Sequence, residues 1–380
     1  MKDLSESRIL IVDDVKANID ILVQALREDY KLSVALDGAS ALRSIEKAPP
    51  DLVLLDIVMP DLDGFEVCRQ LRARPSTREV PVMFLSALED VAKKAHGFEV
   101  GGNDYLTKPF EVLEVKARVR SLLKAKAYAD AVREAIAREL RIAREIQMGI
   151  LPADVAEATR GTGLEVHAVV EPALAVGGDL YEVLRVSENR VVVALGDVSG
   201  KGVPAALFMA VAMSVLRTLA RYIPEPDEIL RRLNDELAQQ NPRGMFVTIQ
   251  CLVFDLERRC LSVAGAGHHQ LVVLSPGCPP RMAFPSTGRP VGLMPQNSIE
   301  TEHVPLAAGD MFVLFSDGVS EALNQQEDFY GEERLLAVLA AARDATPADA
   351  VARVLADVRA FTDGAKQSDD ITVVAARYAP

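Results

Sequence analysis

The chain has 380 residues, a length that allows two or three domains with a hydrophobic core each. Hydrophobic residues make up 49% of it and charged residues 26%, a balance that excludes a largely disordered chain. The net charge of −13 argues against nucleic acid as a partner, because binding to phosphate backbones requires a basic face.

Four cysteines have neither the paired spacing of a zinc site nor the density of a disulfide scaffold; they are Cys68, Cys251, Cys260 and Cys278. We expect isolated buried thiols in a reducing compartment. No positively charged segment followed by an apolar signal-peptide core opens the chain, so no signal peptide is expected. The most hydrophobic run, residues 203–216, is too short to span a bilayer and predicts a buried helix. We therefore expect a cytoplasmic protein with no membrane partner.

Apolar, strand-like runs alternate with helical patterns in the first third of the chain. The predicted strands include residues 8–12, 51–55 and 80–85, and the helices that follow them cover about 16–28, 65–72 and 91–100. Continuously apolar strands separated by helices predict a five-stranded parallel sheet covered on both faces, a flavodoxin-like α/β fold. Ligands of such sheets bind at the carboxyl ends of the strands.

The side chains placed at those strand ends are Asp13, Asp14, Asp56, Ser86 and Lys108. Three carboxylates in one crevice repel each other unless a divalent cation joins them. With the cation present, one carboxylate can attack a phosphoryl donor, while the lysine and the hydroxyl hold the new phosphoryl oxygens. The alternative is a flavodoxin-like domain whose acids are incidental. The peptide bond between Lys108 and the following proline can be cis, which would aim the lysine inward, or trans, the commoner state.

The motifs at the strand ends occur in the order of one family. They are Asp-Asp, Leu-Asp-Ile-Val-Met-Pro-Asp-Leu-Asp-Gly, Leu-Ser-Ala and Tyr-Leu-Thr-Lys-Pro-Phe. Over its whole length this segment resembles a response-regulator receiver domain. The resemblance implies that Asp56 is the phosphoacceptor of a sensor histidine kinase or a phosphotransfer protein. It also implies that Asp13, Asp14 and Asp56 bind Mg²⁺ together with the Val58 carbonyl.

The same resemblance implies a conformational switch. Ser86 and Tyr105 would form the switch pair, and Lys108 would contact the phosphoryl group. Phosphorylation should draw Ser86 inward and let Tyr105 follow, which changes the face formed by the fourth helix, the fifth strand and the fifth helix.

A connector without proline or glycine runs from residue 112 to residue 148. Its apolar residues recur at every seventh position, at Leu122, Ala129, Ile136, Ala143 and Ile150. This pattern predicts a long helix that pairs as a dimeric coiled coil, so we expect a homodimer. The alternative is a single helix that packs its alanine stripe on its own domains. The predicted organisation is a receiver domain at 1–126, a helical linker at 127–150 and a second domain at 151–380.

The second domain combines strands in consecutive order with paired helices. The predicted strands are residues 164–170, 190–195, 245–254, 260–264, 271–274, 310–315 and 371–377, and the predicted helices are about 203–222, 226–240, 333–343 and 347–362. Runs of strands interrupted by helix pairs predict two antiparallel sheets with helices outside, an α+β sandwich.

Four aspartates beside glycine or a second acid lie at the ends of these strands: Asp179, Asp197, Asp317 and Asp369. Brought together by a fold, they would form an all-oxygen cage for Mg²⁺ or Mn²⁺. The Gly-Gly-Asp at Asp179 invites comparison with diguanylate cyclases, but the Leu-Tyr that follows it breaks that signature.

Four longer motifs decide between families. Gly-Asp-Val-Ser-Gly-Lys-Gly, Ala-Gly-Ala-Gly-His, Phe-Ser-Asp-Gly-Val and Ser-Asp-Asp-Ile-Thr occur in an order that resembles the metal-dependent type-2C (PPM) protein phosphatases of the SpoIIE/RsbU branch. The resemblance includes Ile-Gln to Leu-Pro at the domain entrance, residues 146–152. It implies that the four aspartates are catalytic, binding two Mg²⁺ or Mn²⁺ ions with the Val198 carbonyl. Asp370 would support them or hold a third metal, and either Asp369 or Asp370 can be the direct ligand.

Three further residues bear on catalysis. His268 and His269 lie in a glycine-rich turn and are predicted to be structural rather than a general acid. Glu182 departs from the family, in which aspartate is frequent there, without affecting the metal ligands. In such a centre a water shared by two cations attacks phosphorus, so no protein nucleophile is required.

The predicted function is that of a two-component response regulator whose phosphorylation at Asp56 controls a metal-dependent serine/threonine phosphoprotein phosphatase. By resemblance, the substrate would be a phosphorylated anti-sigma-factor antagonist in a partner-switching pathway. The alternative is a non-catalytic adaptor that binds a regulatory protein through a phosphatase-like fold. A DNA-binding response regulator is disfavoured, because the sequence shows no helix-turn-helix segment or basic patch.

Overall fold

The computed structural model describes residues 3–86, 91–239 and 241–380, with the backbone alone for residues 91–94. Ala87 of the Leu-Ser-Ala motif and Gln240, the last residue of a predicted helix, lie outside the described residues. The chain divides into two compact units, Met1–Arg138 and Glu139–Pro380. The domain boundaries at residues 126 and 150 stay a prediction.

The first unit is a five-stranded parallel sheet with helices on both faces, as predicted. Its strands have the spatial order β2-β1-β3-β4-β5. The strands are β1 (Arg8–Val12), β2 (Lys31–Ala35), β3 (Leu52–Asp56), β4 (Val82–Ser86) and β5 (Asp104–Thr107), and the helices between them are α1 (Lys16–Leu26), α2 (Gly38–Lys47), α3 (Gly64–Ala73) and α4 (Val91–Glu99).

Side-chain alternation along the buried strands fills two cores, one on each face of this sheet. Leu10 and Val12 of β1 pack with residues of α2 and α3, whereas Ile9 and Ile11 pack with residues of α1 and of the helix after β5. Successive residues of a strand point to opposite faces, so a strand covered on both sides must be apolar throughout. This requirement explains why the central strands are continuous apolar runs.

A single helix of 39 residues, α5 (Val112–Ile150), follows β5 and confirms the predicted long connector. Its first turns are anchored, with Val115 and Val119 fully buried. Farther along, apolar side chains are exposed, including Val132 at 40% and Ile136 at 55%. An exposed apolar row on a long helix is what a coiled coil requires. Pairing of this helix with a second chain stays a prediction.

The second unit is the predicted α+β sandwich of two five-stranded antiparallel sheets. One has the order β13-β10-β9-β8-β7 and the other β12-β11-β14-β15-β6. The strands are β6 (Leu164–Glu171), β7 (Leu180–Ser187), β8 (Arg190–Val198), β9 (Val247–Asp255), β10 (Cys260–Ala266), β11 (Leu271–Leu274), β12 (Arg281–Ala283), β13 (Glu302–Pro305), β14 (Met311–Phe315) and β15 (Ile371–Tyr378). The helices are α6 (Val155–Thr159), α7 (Val203–Ala220), α8 (Pro226–Gln239), α9 (Asp317–Ser320), α10 (Glu332–Ala340) and α11 (Pro347–Thr362).

The two sheets pack face to face around one core. The rings of Phe254 in β9 and Phe312 in β14 meet edge to face with centroids 5.8 Å apart. Edge-to-face aromatic pairs are favourable beyond their buried area, by about 0.5–1.5 kcal/mol. The sequence did not predict β7, β12, β13, α6 or α9. Of these, β7 matters most, because it starts directly after Asp179.

The helix predicted at about 203–222 is observed as α7, which ends at Ala220 and includes Arg217, the residue that ends the apolar run and forms an ion pair with the buried Glu182. The prediction that this helix is buried was wrong in part. It is buried on one side only, since Leu207 and Val211 are 66% and 52% exposed. Of the helices in the described residues, α7 is the one whose length and composition would suffice to cross a membrane, which is also true of many core helices.

Candidate functional sites

The first site lies at the carboxyl ends of β1 and β3. Asp13 follows β1 and is fully buried, Asp14 is exposed, and Asp56 ends β3 and is nearly buried. One carboxylate oxygen from each lies within 4.8 Å of those of the other two. In the part of the chain that the structure describes, no other three acids, histidines or cysteines lie so close together. The spacing and the all-oxygen donor set fit a hard divalent cation.

Lys108 lies between two of these acids, after the end of β5. Its Nζ is 2.8 Å from an Oδ2 of Asp13 and 2.8 Å from an Oδ2 of Asp56. The peptide bond that follows it is cis, one of the two states that the sequence left open. Burial lowers the pKa of Lys108, but the hydrogen bonds to both carboxylates outweigh it and raise that pKa above its usual value.

Asn18 is a site residue that the sequence did not single out. Its side-chain amide donates to both oxygens of Asp13 at 3.0 Å, and the Val15 N–H donates to Asp13 at 2.9 Å. Together with the ion pair to Lys108, these bonds hold the buried carboxylate of Asp13 in place. The pKa of Asp56 is raised, chiefly by burial, whereas Lys108 and the Val58 N–H oppose the rise.

The predicted switch pair lies on the two neighbouring strands β4 and β5. Ser86 is buried at the end of β4. Tyr105 is 8% exposed, and its ring packs on those of Phe84 and Phe98 with centroids 5.4 and 5.2 Å away. A Cβ atom on Gly97 of α4 would lie 1.5 Å from the Tyr105 hydroxyl oxygen, so glycine is needed where this ring reaches α4. Roles for these residues in switching stay a prediction.

The second site lies at one end of the sandwich, where both sheets contribute aspartates. Asp179 precedes β7 and Asp197 lies near the end of β8, which pairs with β7. Asp317 follows β14, and Asp369 precedes β15, which pairs with β14. Each sheet therefore contributes two of the four predicted aspartates. The Thr372 hydroxyl of β15 donates to Asp179 Oδ2 and joins the two sheets at this point.

The carboxylates of this cluster raise one another's pKa values. The pKa of Asp197 is raised to about 7, first by burial and then by the charges of Asp317 and Asp369. Burial and the charge of Asp197 raise the pKa of Asp179 well above its usual value. Burial and the charge of Asp369 raise that of Asp317. Like charges held together in a low-dielectric site favour protonation unless a cation is bound between them.

Asp179 carries an unsatisfied acceptor that fits a metal. Its side chain is 2% exposed, and Oδ1 is buried without a well-formed hydrogen bond from any described residue. The nearby Ser316 hydroxyl donates instead to the Asp370 carbonyl at 3.1 Å. A buried carboxylate oxygen without a partner is costly, and a divalent cation would satisfy it. Asp179 Oδ1 therefore fits a metal ligand, and the other three aspartates offer carboxylates at the same end of the sandwich, where no three of these four described residues bring oxygens within 4.8 Å of one another.

The structure gives Asp369 and Asp370 different surroundings. Asp370 is buried, and its two oxygens accept the N–H groups of Ala173 at 2.7 Å and Gly178 at 2.6 Å. The half-buried Asp369 instead forms an ion pair with Lys201 at 2.8 Å. Asp370 thus holds the loop before Asp179, while Asp369 presents its carboxylate to the acid cluster.

Glycines allow these loops to approach each other. A Cβ atom on Gly177 would lie 2.1 Å from Asp370 Oδ2, and one on Gly318 would lie 1.9 Å from the Asp370 carbonyl oxygen. Real Cβ contacts do not reach such distances. A side chain at Gly177 would have to displace the Asp370 carboxylate, and one at Gly318 would require movement of the backbone.

The histidine pair lies beside this site. His268 is buried, with Nδ1 2.9 Å from the Thr248 hydroxyl oxygen and Nε2 3.0 Å from the Phe315 carbonyl. Nε2 donates to that carbonyl, so Nδ1 accepts from the hydroxyl. Burial, and then the neighbouring His269, lower the pKa of His268 to about 3. A neutral, fully bonded imidazole has no free nitrogen for acid catalysis, in agreement with the predicted structural role.

Comparison with known proteins identifies each unit. A family model for the response regulator receiver domain matches residues 9–120, and one for stage II sporulation protein E (SpoIIE) matches residues 187–379. Response regulator PleD of Caulobacter vibrioides is 43% identical over 129 residues, which are 34% of this chain and 28% of PleD. Protein IcfG of Synechocystis sp. is 28% identical over 290 residues, which are 69% of this chain and 44% of IcfG.

A solved structure shares the fold of the second unit. The SiaA-PP2C domain of Pseudomonas aeruginosa matches with a TM-score of 0.59 at 24% identity and covers 65% of this chain and 99% of that domain. This likeness shows the fold alone. The chain spans less than half the length of the curated relatives PleD and IcfG.

Proposed function

Because the chain belongs to the SpoIIE family and carries a response regulator receiver domain ahead of its phosphatase domain, we propose that phosphorylation of Asp56 controls the hydrolysis of phosphoserine or phosphothreonine in a partner protein. SpoIIE-type domains are metal-dependent protein serine/threonine phosphatases. The observation that carries the proposal is the placement of Asp179, Asp197, Asp317 and Asp369 at one end of the sandwich, where burial and then the charges of Asp317 and Asp369 raise the pKa of Asp197 to about 7.

In the phosphatase domain, these four aspartates would hold two Mg²⁺ or Mn²⁺ ions together with the Val198 carbonyl. The ions supply Lewis acidity that activates water for attack on phosphorus. The chain itself supplies the oxygen donors, of which Asp179 is buried and the other three aspartates are partly buried. Asp370 fixes the backbone before Asp179, and Lys201 neutralises part of the negative charge at Asp369.

In the receiver domain, the chemistry is phosphoryl transfer to a carboxylate. An Asp56 oxygen would form a bond to phosphorus as the N–P bond of a phosphohistidine breaks, and the imidazole leaves with the electron pair. Asp13, Asp14 and Asp56, with the Val58 carbonyl, would hold Mg²⁺. Lys108 is already within 2.8 Å of Asp56 and would pair with the new phosphoryl oxygens. The donor would be a sensor histidine kinase or a phosphotransfer protein.

The proposed substrate is a phosphorylated anti-sigma-factor antagonist, and what supports it is the set of SpoIIE/RsbU-type motifs. We also propose that the protein acts in the cytoplasm, where receiver domains and such substrates meet, and that it binds neither nucleic acid nor membrane. The acidic charge of −13 supports the exclusion of nucleic acid.

The test is release of phosphate from a phosphoserine protein in the presence of Mn²⁺. Hydrolysis should fall by at least about 10²-fold in Asp197→Ala and Asp317→Ala, since each removes a metal ligand. Asp344→Ala removes an exposed acid outside the cluster and is the matched control. If the wild-type chain binds the phosphoprotein but releases no phosphate with Mn²⁺ or Mg²⁺, the chain is an adaptor and the proposal is wrong.

A further inference from the structure

The end of the long helix α5 contacts the loop that carries Asp179. Within the last turns of α5, Gln147 is buried with 6% of its surface exposed, whereas its neighbours Ile146 and Met148 are 62% and 39% exposed. A buried primary amide needs partners for its donor and its acceptor. Both partners of Gln147 are backbone atoms of a single residue, Gly177.

The amide of Gln147 pairs with Gly177 through two hydrogen bonds. Nε2 donates to the Gly177 carbonyl oxygen at 2.6 Å, and the Gly177 N–H donates to Oε1 at 3.1 Å. Both bonds are buried. Gly177 lies two residues before Asp179, and the Gly178 between them donates its N–H to Asp370 at 2.6 Å. The loop is therefore held by Gln147 on one side and by Asp370 on the other.

A second contact joins the end of α5 to the strand on the far side of Asp179. Arg217 of α7 donates to the carbonyl oxygen of Ile150, the last residue of α5, and also to the carboxylate of Glu182. Glu182 is in β7, three residues after Asp179, and its side chain is 2% exposed. From the sequence alone, Glu182 is a minor departure from the family, in which aspartate is frequent at this position. In the structure its longer side chain joins β7 to the end of the helix through Arg217.

We infer that Gln147 is a positioning residue for Asp179, so that the end of α5 sets the geometry of the phosphatase metal centre. This inference rests on the proposed function of the aspartate cluster. Thr372 holds Asp179 Oδ2, whereas the buried Oδ1 has no well-formed bond from a described residue, so the backbone loop is the second element that sets the direction of this side chain. A rotation or unwinding of the last turns of α5 would break both bonds to Gly177 and leave the loop held by Asp370 alone.

The first experiment measures Mn²⁺ binding by calorimetry in the absence of substrate. The parent chain carries Asp14→Ala, which removes the receiver as a competing Mn²⁺ site, and the variants are made in this parent. Gln147→Met keeps the length of the side chain and removes both hydrogen bonds to Gly177. In this variant Mn²⁺ should bind the phosphatase centre about tenfold more weakly, because loss of a residue that orients a metal ligand typically weakens metal affinity by that amount. Glu145→Ala, at an exposed residue of the same helix, is the matched control. Equal Mn²⁺ affinity in Gln147→Met and the parent overturns the inference.

A second measurement separates positioning from general stability. Amide hydrogen exchange in Gln147→Met should be faster at Gly177 and Gly178, while exchange in the central strand β9 stays as in the parent. Faster exchange in β9 as well would mean that Gln147 merely stabilises the domain, and the inference would be wrong.

The two proposals fail in different ways. If the wild-type chain hydrolyses no phosphoprotein but Gln147→Met still weakens Mn²⁺ binding, the proposed function is wrong and the positioning role stands. If the wild-type chain is an active phosphatase and Gln147→Met binds Mn²⁺ as the parent does, only the positioning role is wrong.

Discussion

Individual side chains in this protein acquire their properties from burial and from their neighbours. Aspartate normally ionises near pH 4, yet the pKa of Asp197 is raised to about 7 by burial and by the charges of Asp317 and Asp369. His268 shows the opposite shift for the same reason, since burial disfavours its cation. A cation-binding centre and a neutral structural imidazole thus lie side by side in one domain.

The contact between Gly318 and Asp370 predicts a large effect of a single methyl group. Gly318→Ala places a Cβ atom 1.9 Å from the Asp370 carbonyl oxygen, a backbone atom that cannot rotate away. We expect a loss of about 1–3 kcal/mol in the free energy of unfolding of the second unit, measured by denaturant titration. Gly149→Ala is the control, because its Cβ meets nothing within 4 Å. Equal destabilisation by both changes would contradict this account of the loop.

The neutral state of His268 predicts a pH dependence of stability. Its pKa is about 3 in the folded chain and about 6.5 when unfolded, so between these values only the unfolded state gains the proton. Stability from this group is complete above pH 6.5 and is lost as the pH falls toward 3. Between pH 6 and 4 the loss should be about 1.4 kcal/mol per pH unit.

Between pH 6 and 4, the free energy of unfolding of His268→Gln should depend less steeply on pH, by the equivalent of about one proton. Denaturant titrations at several pH values measure this slope. His303→Gln, at a histidine with a 55% exposed side chain, is the matched control. An unchanged slope in His268→Gln would show that this imidazole is charged in the folded protein.

Among the secondary structure elements, α5 has the most varied surroundings. Its first turns complete the core of the receiver with Val115 and Val119, and its last turns bind Gly177 through Gln147. Between these anchored ends, its apolar residues are exposed. We predict that such a helix, fixed at both ends, transmits a rotation or a change in pairing along its length.

We predict that the exposed apolar row of α5 forms a dimer. Ile136→Lys places a charge in the sevenfold row and should convert a dimer to a monomer in sedimentation velocity experiments. Glu134→Lys, two residues away on the opposite side of the helix, is the control and should leave the dimer intact. A wild-type chain that is monomeric at high concentration would contradict the coiled coil and favour a single helix.

Considered as a whole, the chain carries two acid clusters with opposite chemistry. The cluster at Asp56 is suited to accept a phosphoryl group, and the cluster at Asp197 to remove one from another protein. A rigid element between an input and an output couples them only if it has two arrangements that phosphorylation biases.

We predict that a phosphoryl mimic at Asp56 changes either the phosphatase rate or the dimerisation of the full chain. Beryllofluoride with Mg²⁺ should change the phosphatase rate or the dimerisation of the wild-type chain. It should leave both unchanged in Asp56→Ala, because the mimic binds through the Asp56 carboxylate. Phosphate release and sedimentation are measured on the same samples. If wild type and Asp56→Ala respond identically, the receiver does not control the phosphatase.

The sequence alone determined the features that depend on neighbouring residues. Continuous apolar runs that end in acids located Asp13, Asp56 and Asp197 at strand ends, because a buried strand must be apolar until it leaves the sheet. The absence of proline and glycine from residues 112 to 148 predicted the long helix, which runs as α5 to Ile150. These patterns are local, and local backbone preference and burial suffice to produce them.

Only the tertiary structure decided the contacts between distant segments. Thr372 meets Asp179 across 193 positions of sequence, and Asp370 rather than Asp369 binds the backbone at Gly178. The strand β7 and the contact from Gln147 to Gly177 were not predicted, because Gly-Gly-Asp has the composition of a turn. Such pairings depend on how two sheets and a helix end pack together. Packing of that kind selects one partner among many polar groups, and no spacing along the chain records the choice.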